Sequence, residues 1–128
     1  RYFARASRLA AHGLRSVRFE DGDASCGTLP PADLLLVKDV LMHWPNEAIH
    51  RFLRSHVTSG ASPRYRFVML VQNESPVPGL RTMVDIESAQ LLPLDVRDEP
   101  FRAPFENVFA WESDQMKVVQ LWAAPGPQ

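Results

Sequence analysis

The chain carries a single cysteine, Cys26, in 128 residues, so no internal disulfide can form and zinc sites built on several thiolates are excluded. That usage suits a reducing, cytoplasmic setting. An excess of either charge is also missing. The 14 Lys+Arg stand against 15 Asp+Glu for a formal net charge of -1, which offers no broad attraction to a nucleic-acid backbone or an anionic membrane. Arg1, Arg5, Arg8, Arg15 and Arg18 are the only local basic excess, and they make no clustered face. No apolar run approaches the roughly 20 residues of a transmembrane helix, and the first residues lack the continuous apolar stretch of a signal peptide. Internal repeats and low-complexity tracts are absent, and no two of the six glycines are separated by a single residue. The chain opens on Arg1 rather than Met, which leads to the expectation that the natural product is longer. With 45% hydrophobic and 23% charged residues, the composition is that of one soluble globular domain spanning 1–128, large enough for a single core.

Tyr2, Phe3, Ala6, Leu9 and Ala10 recur at helical spacing with Gly13 in the position of a left-handed cap, which predicts a helix over Tyr2 to His12. Ser16 to Glu20 alternates as a short strand near an edge, closed by the turn formers Asp21, Gly22 and Asp23. Ala24 to Pro31 reads as loop. Leu34 to Val37 is a continuous apolar run of the kind buried on both faces of a parallel sheet, and it is the expected central strand. After Pro45, with Asn46 as N-cap, Ile49, Phe52, Leu53 and Val57 line one face of a helix ending near Ser59 and Gly60. Arg64 to Gln72 is a second buried strand, so strand, helix and strand predict a parallel crossover with both strands adjacent. Asn73 to Asp95 has no clear period and reads as a lid. Asn107 to Trp111 and Met116 to Trp122 predict a closing hairpin with a four-residue turn.

The most informative stretch is Asp33 to Asn46, DLLLVKDVLMHWPN, where an apolar strand runs into a polar and aromatic cluster as the backbone leaves the sheet. In open α/β sheets, ligands bind beyond the carboxyl ends of strands. This wording, with its basic-acidic pair, aliphatic pair and His43, resembles the segment after the fourth strand of class I S-adenosylmethionine-dependent methyltransferases. The order of later motifs is similar to a bacterial subgroup of that family: Asp85-Ile86, Pro93-Leu94-Asp95, Glu99-Pro100-Phe101, then Lys117 to Trp122 as K-x-x-x-LW. The likeness spans nearly the whole chain as the C-terminal two thirds of such an enzyme. It implies an α/β fold, a partial Rossmann-like methyltransferase sheet of parallel strands with a crossover helix plus a C-terminal antiparallel hairpin.

The resemblance also implies site residues. Asp23, within Gly22-Asp23-Ala24, matches the acid that bonds the cofactor's adenine amino group, with Ala24 beside it. Lys38, Asp39 and His43 match the residues lining the methionine end of S-adenosylmethionine and the acceptor entrance, with Lys38 in place of the subgroup's usual Arg and therefore without its planar fork. The activity implied is methyl transfer to a small-molecule or protein acceptor. The departure is at the front, since the G-x-G-x-G turn that seats the cofactor is missing, and only glycine lets the backbone approach that closely. The chain alone is therefore expected to bind S-adenosylmethionine weakly or not at all. In the family's sheet order, 3-2-1-4-5-7-6, the missing first strand would lie beside the fourth. Its loss predicts a bare edge and a homodimer or strand-exchanged assembly.

Each candidate has a plainer structural reading. Asp23 sits in an Asp-Gly-Asp turn, where the side chain commonly bonds nearby backbone. Asp39 and His43 can act as general base and orienter, because His titrates near neutrality and a carboxylate fixes its tautomer. Equally, Asp39 can tie down loop amides while His43 fills a gap beside Trp44. His12, His50 and His56 have no partner at metal-ligand spacing. Cys26 has no evident activating base. Arg81 and Asp85 can meet substrate or belong to a solvated segment. Phe101, Phe105, Phe109, Trp111 and Trp122 are expected to pack the sheet, with one or two free to line a pocket. The rival to the enzyme reading is a non-catalytic, dimeric structural or binding module.

Overall fold

The computed structural model describes residues 13, 16–25, 29–57, 62–74, 85 and 93–126. The helix expected over Tyr2 to His12, Cys26, Arg81 and most of the Asn73 to Asp95 lid lie outside the described residues. Among the described residues no helix is long and apolar enough to cross a membrane.

The fold is α/β: a four-stranded mixed sheet with one helix. The elements are β1 (Ala32–Lys38), a single 3-10 turn (Leu41–His43), α1 (Asn46–His56), β2 (Tyr65–Asn73), β3 (Glu106–Glu112) and β4 (Met116–Ala123). The sheet order is β1-β2-β4-β3. β1 and β2 are parallel neighbours, with Leu35 opposite Val68 and Val37 opposite Leu70. β4 runs antiparallel to both β2 and β3.

Helix α1 forms because Ile49, Phe52, Leu53 and His56 fall on one side at i, i+3, i+4 and i+7 spacing, and all four are buried. Opposite them, Glu47 and Arg51 make an exposed pair at 3.2 Å. This apolar side packs on Val37, Val68 and Leu70 of the sheet. Leu41 and Met42 join from the 3-10 turn, and Leu94, Val96 and Phe105 from the segment leading to β3.

Four expectations need correction. Residues 17–20 belong to no strand, and Val17 and Phe19 are exposed; alternation alone does not make a strand where no ladder partner completes its hydrogen bonds. Among the described residues β1 is an edge strand, against the central place read from its apolar run and in line with the bare edge expected beside a missing first strand. Leu34 and Leu36, 45% and 56% exposed, point away from α1, so only one face of the run is covered. The residue before α1 is Pro45, and Asn46 is the first helical residue. The oxygen that accepts the Asn46 N–H, at 2.7 Å, comes from the Asp85 carboxylate instead, 39 residues further on. Finally, the aromatics divide: Phe105 and Trp122 are buried, while Phe109 is 62% exposed on the outer strand. The hairpin itself lies where the sequence placed it, with residues 113–115 between its strands.

Candidate functional site

Lys38 ends β1 at its carboxyl terminus, and Asp39 follows it where the chain must turn out of the sheet. Asp39 does so with φ of 56°, the left-handed region that a non-glycine residue adopts at a cost of roughly 1–2 kcal/mol. Three bonds offset that cost. The Asp39 N–H donates to the Val71 carbonyl at 3.0 Å, keeping the turn against β2. The carboxylate accepts from Lys38 Nζ and, at 2.7 Å, from Lys117 Nζ. Lys117 reaches in from β4, 78 residues away in sequence, and its side chain is only 12% exposed.

The electrostatics follow from this crowding. Burial raises the Asp39 carboxyl, but the hydrogen bonds and charges of Lys117 and Lys38 outweigh it and hold the group below the ordinary carboxylate value. The stabilisation this gives is therefore present above the ordinary carboxylate range and is lost as pH falls through the lowered value. A carboxylate so held is a persistent anion and a weak base. Such an anion suits the orienting part in the pairing of Asp39 with His43.

His43 closes the 3-10 turn, half-buried, with its N–H donating to the Val40 carbonyl at 3.1 Å. Trp44 beside it meets Phe52 edge to face at 5.9 Å, which fixes the exit from the turn onto the core. Asp23 and Ala24 stand in a turn upstream of β1. There Asp23 Oδ1 accepts from the Ser25 N–H at 2.9 Å and Ser25 Oγ at 2.7 Å, the local turn chemistry of a short acidic side chain. The structure thus brings Lys38 and Asp39 together and adds Lys117. In comparisons with protein-family models, curated proteins and solved structures, nothing matches this chain.

Two partners were missed by the sequence reading. Lys117 was seen only as the first letter of K-x-x-x-LW, and nothing in its neighbourhood signals a contact with Asp39. Gln120, in the same motif, is fully buried. Its Nε2 donates to Asp95 Oδ1 at 2.7 Å and Asn107 Oδ1 at 3.0 Å, while its Oε1 accepts from the Val96 N–H at 3.4 Å. Gln120 therefore fastens the Pro93-Leu94-Asp95 segment to the sheet. Burial raises the Asp95 carboxyl, but bonds from Arg97 and Gln120 prevail and hold it low. A polar letter inside an apolar strand was the available signal for this contact, since a buried amide must find partners.

Proposed function

We propose that this chain is the acceptor-side part of a class I S-adenosylmethionine-dependent methyltransferase domain, acting on a small-molecule or protein nucleophile. The observation that carries the reading is the place of β4, between β2 and β3. With β1 taken as the family's fourth strand, the order β1-β2-β4-β3 reads 4-5-7-6, the end of the sheet order that the resemblance implies. The ion pair between Asp39 and Lys117 adds support, because it joins two motifs of the resemblance at the carboxyl ends of β1 and β2, where ligands of open α/β sheets belong.

The described residues do not make a complete cradle for the cofactor. A side chain added at Gly22 would meet nothing within 4 Å, so the backbone there makes no close approach. Asp23 is exposed and bonded to Ser25. What the chain itself offers is a fixed anion, Asp39, and two ammonium groups at the strand ends. Many methyl transfers need only proximity and alignment, so a rigid turn of this kind is enough to orient an acceptor. S-adenosylhomocysteine is expected to bind the isolated chain with a dissociation constant of roughly 0.1–1 mM, moving the backbone amide signals of Lys38 to Trp44 in a ¹H–¹⁵N NMR titration. Unmoved signals at millimolar nucleoside would favour the non-catalytic module.

The second reading rests on the missing glycine turn and on the edge of β1. Among the described residues β1 is paired on one side only. Its outer side is a row of open amides and carbonyls flanked by exposed Leu34 and Leu36, the arrangement that recruits another strand. A homodimer or strand-exchanged pair is the expected species, with twice the chain mass in light scattering at micromolar concentration. A strictly monomeric mass sinks it.

A further inference from the structure

Among the described residues the sheet has two open edges, β1 and β3, and they are built differently. β3 begins on Glu106 and ends on Glu112, and its register with β4 slips between Asn107 and Phe109. Charges and a bulge are devices that keep an edge strand from pairing with another chain. β1 pairs with β2 without a slip, and its stretch from Leu34 to Val37 carries no charge. It is the undefended edge. Which of its backbone groups lie there follows from one bond: the Ala32 N–H donates to the Arg64 carbonyl at 3.3 Å, toward β2. Successive strand residues point their backbone groups to opposite sides, so those of Ala32, Leu34, Leu36 and Lys38 face β2. The N–H and C=O of Asp33, Leu35 and Val37 face outward.

A second copy of this chain satisfies all of them in one arrangement. Leu35 is the midpoint of Ala32–Lys38. A two-fold axis through Leu35 lays the two β1 strands antiparallel, with Leu35 exchanging bonds with Leu35 of the second copy and Asp33 with Val37 in both directions. A slip of two residues fails either way. One slip sets Val37 opposite Pro31, which has no N–H, and the other sets Asp33 opposite Asp39, whose N–H already donates to the Val71 carbonyl at 3.0 Å. In the centred register Leu34 stands opposite Leu36 of the second copy at a non-hydrogen-bonded position, with Cα atoms about 4.5 Å apart. The leucines exposed at 45% and 56% thereby cover one another. Charge agrees with this direction: an antiparallel alignment brings the Asp33 end of one strand to the Lys38 end of the other, whereas a parallel one stacks like charges.

We propose that two copies of this chain join through β1 as antiparallel strands in this register, forming one continuous sheet across the two-fold axis. The proposal rests on the reading of β1 as a recruiting edge and fixes its partner, its direction and its register. The test uses single cysteines in chains that also carry Cys26→Ser. An equimolar mixture of Leu34→Cys and Leu36→Cys chains is oxidised at micromolar concentration. It should give disulfide-linked dimer in several-fold greater yield than either variant alone, because residue 34 meets residue 36 and not its own counterpart. The double variant L34K/L36K, charged at two exposed positions of the edge, should keep its circular dichroism and fall to half the wild-type mass in light scattering. A dimeric wild type whose cross-links form as readily from one variant alone overturns the register and leaves the homodimer standing. A monomeric wild type overturns both. A folded L34K/L36K that stays dimeric overturns the proposal by placing the contact elsewhere.

Discussion

Replacing Phe52 with alanine is expected to lower the unfolding free energy by about 3–5 kcal/mol. Phe52 is 1% exposed and stands in the middle of the apolar side of α1. Its ring meets Trp44 edge to face at 5.9 Å and lies 4.8 Å from the His56 ring, so it joins the turn after β1 to the far end of the helix. Truncation removes a large buried ring and leaves a cavity between α1 and the sheet that rigid neighbours can only partly fill. The loss also reaches the candidate site, because Trp44 sets where the Asp39 to His43 turn sits on the core. Urea unfolding followed by tryptophan fluorescence measures the change. Phe109→Ala is the matched control: at 62% exposure on the outer strand it should shift stability by no more than about 0.5 kcal/mol. Similar losses for both would mean that α1 does not pack as described.

The second large effect is a loss of stability in mild acid centred on His56. This residue is 1% exposed, with Phe52 at 4.8 Å and Tyr65 at 5.7 Å, and neither ring nitrogen has a hydrogen-bond partner. Burial, helped by the charge of Arg64, pushes its pKa below the ordinary value of 6.5. Its place in the last turn of α1 would favour the cation through the helix dipole, but desolvation outweighs a term of that size. Because the folded value is depressed, the unfolded chain takes up the proton first. The stabilisation is complete above 6.5 and declines as pH falls from there to the folded value, with a slope of up to about 1.4 kcal/mol per pH unit. Urea midpoints measured between pH 7.5 and pH 5, a window set about the ordinary imidazole value, should fall for the wild type. His56→Leu, which removes the titrating group and fills much of the same space, should flatten that fall. An equally steep decline in His56→Leu would place the acid sensitivity elsewhere.

Much of the architecture was legible from local pattern. The Leu34 to Val37 run, the Ile49-Phe52-Leu53 spacing, the Phe67 to Val71 run and the two closing segments gave β1, α1, β2, β3 and β4 with boundaries displaced by a few residues at most. Periodicity is a property of neighbouring residues, so it survives without knowledge of the rest of the chain. Failures came where the deciding partner lies far off. Ser16 to Glu20 has a strand's alternation, but the described structure gives it no ladder. Asn46 looked like its own helix's cap, whereas Asp85 provides the bond. Of the candidate site, Lys38, Asp39 and His43 were identified by their position after a strand, yet the residue that fixes Asp39 was not.

Sequence alone determined the order of the elements, which side of α1 faces inward, and that β1 is followed by a charged turn, because spacing and turn chemistry act over a few residues. Tertiary structure alone decided that Asp85 bonds the Asn46 N–H, that Leu34 and Leu36 are left uncovered, and that Lys117 closes on Asp39 across 78 positions. The reason is physical: strand pairing and charge pairing depend on distance in space, and folding can join any two segments whose backbone bonds and buried surface are jointly satisfied.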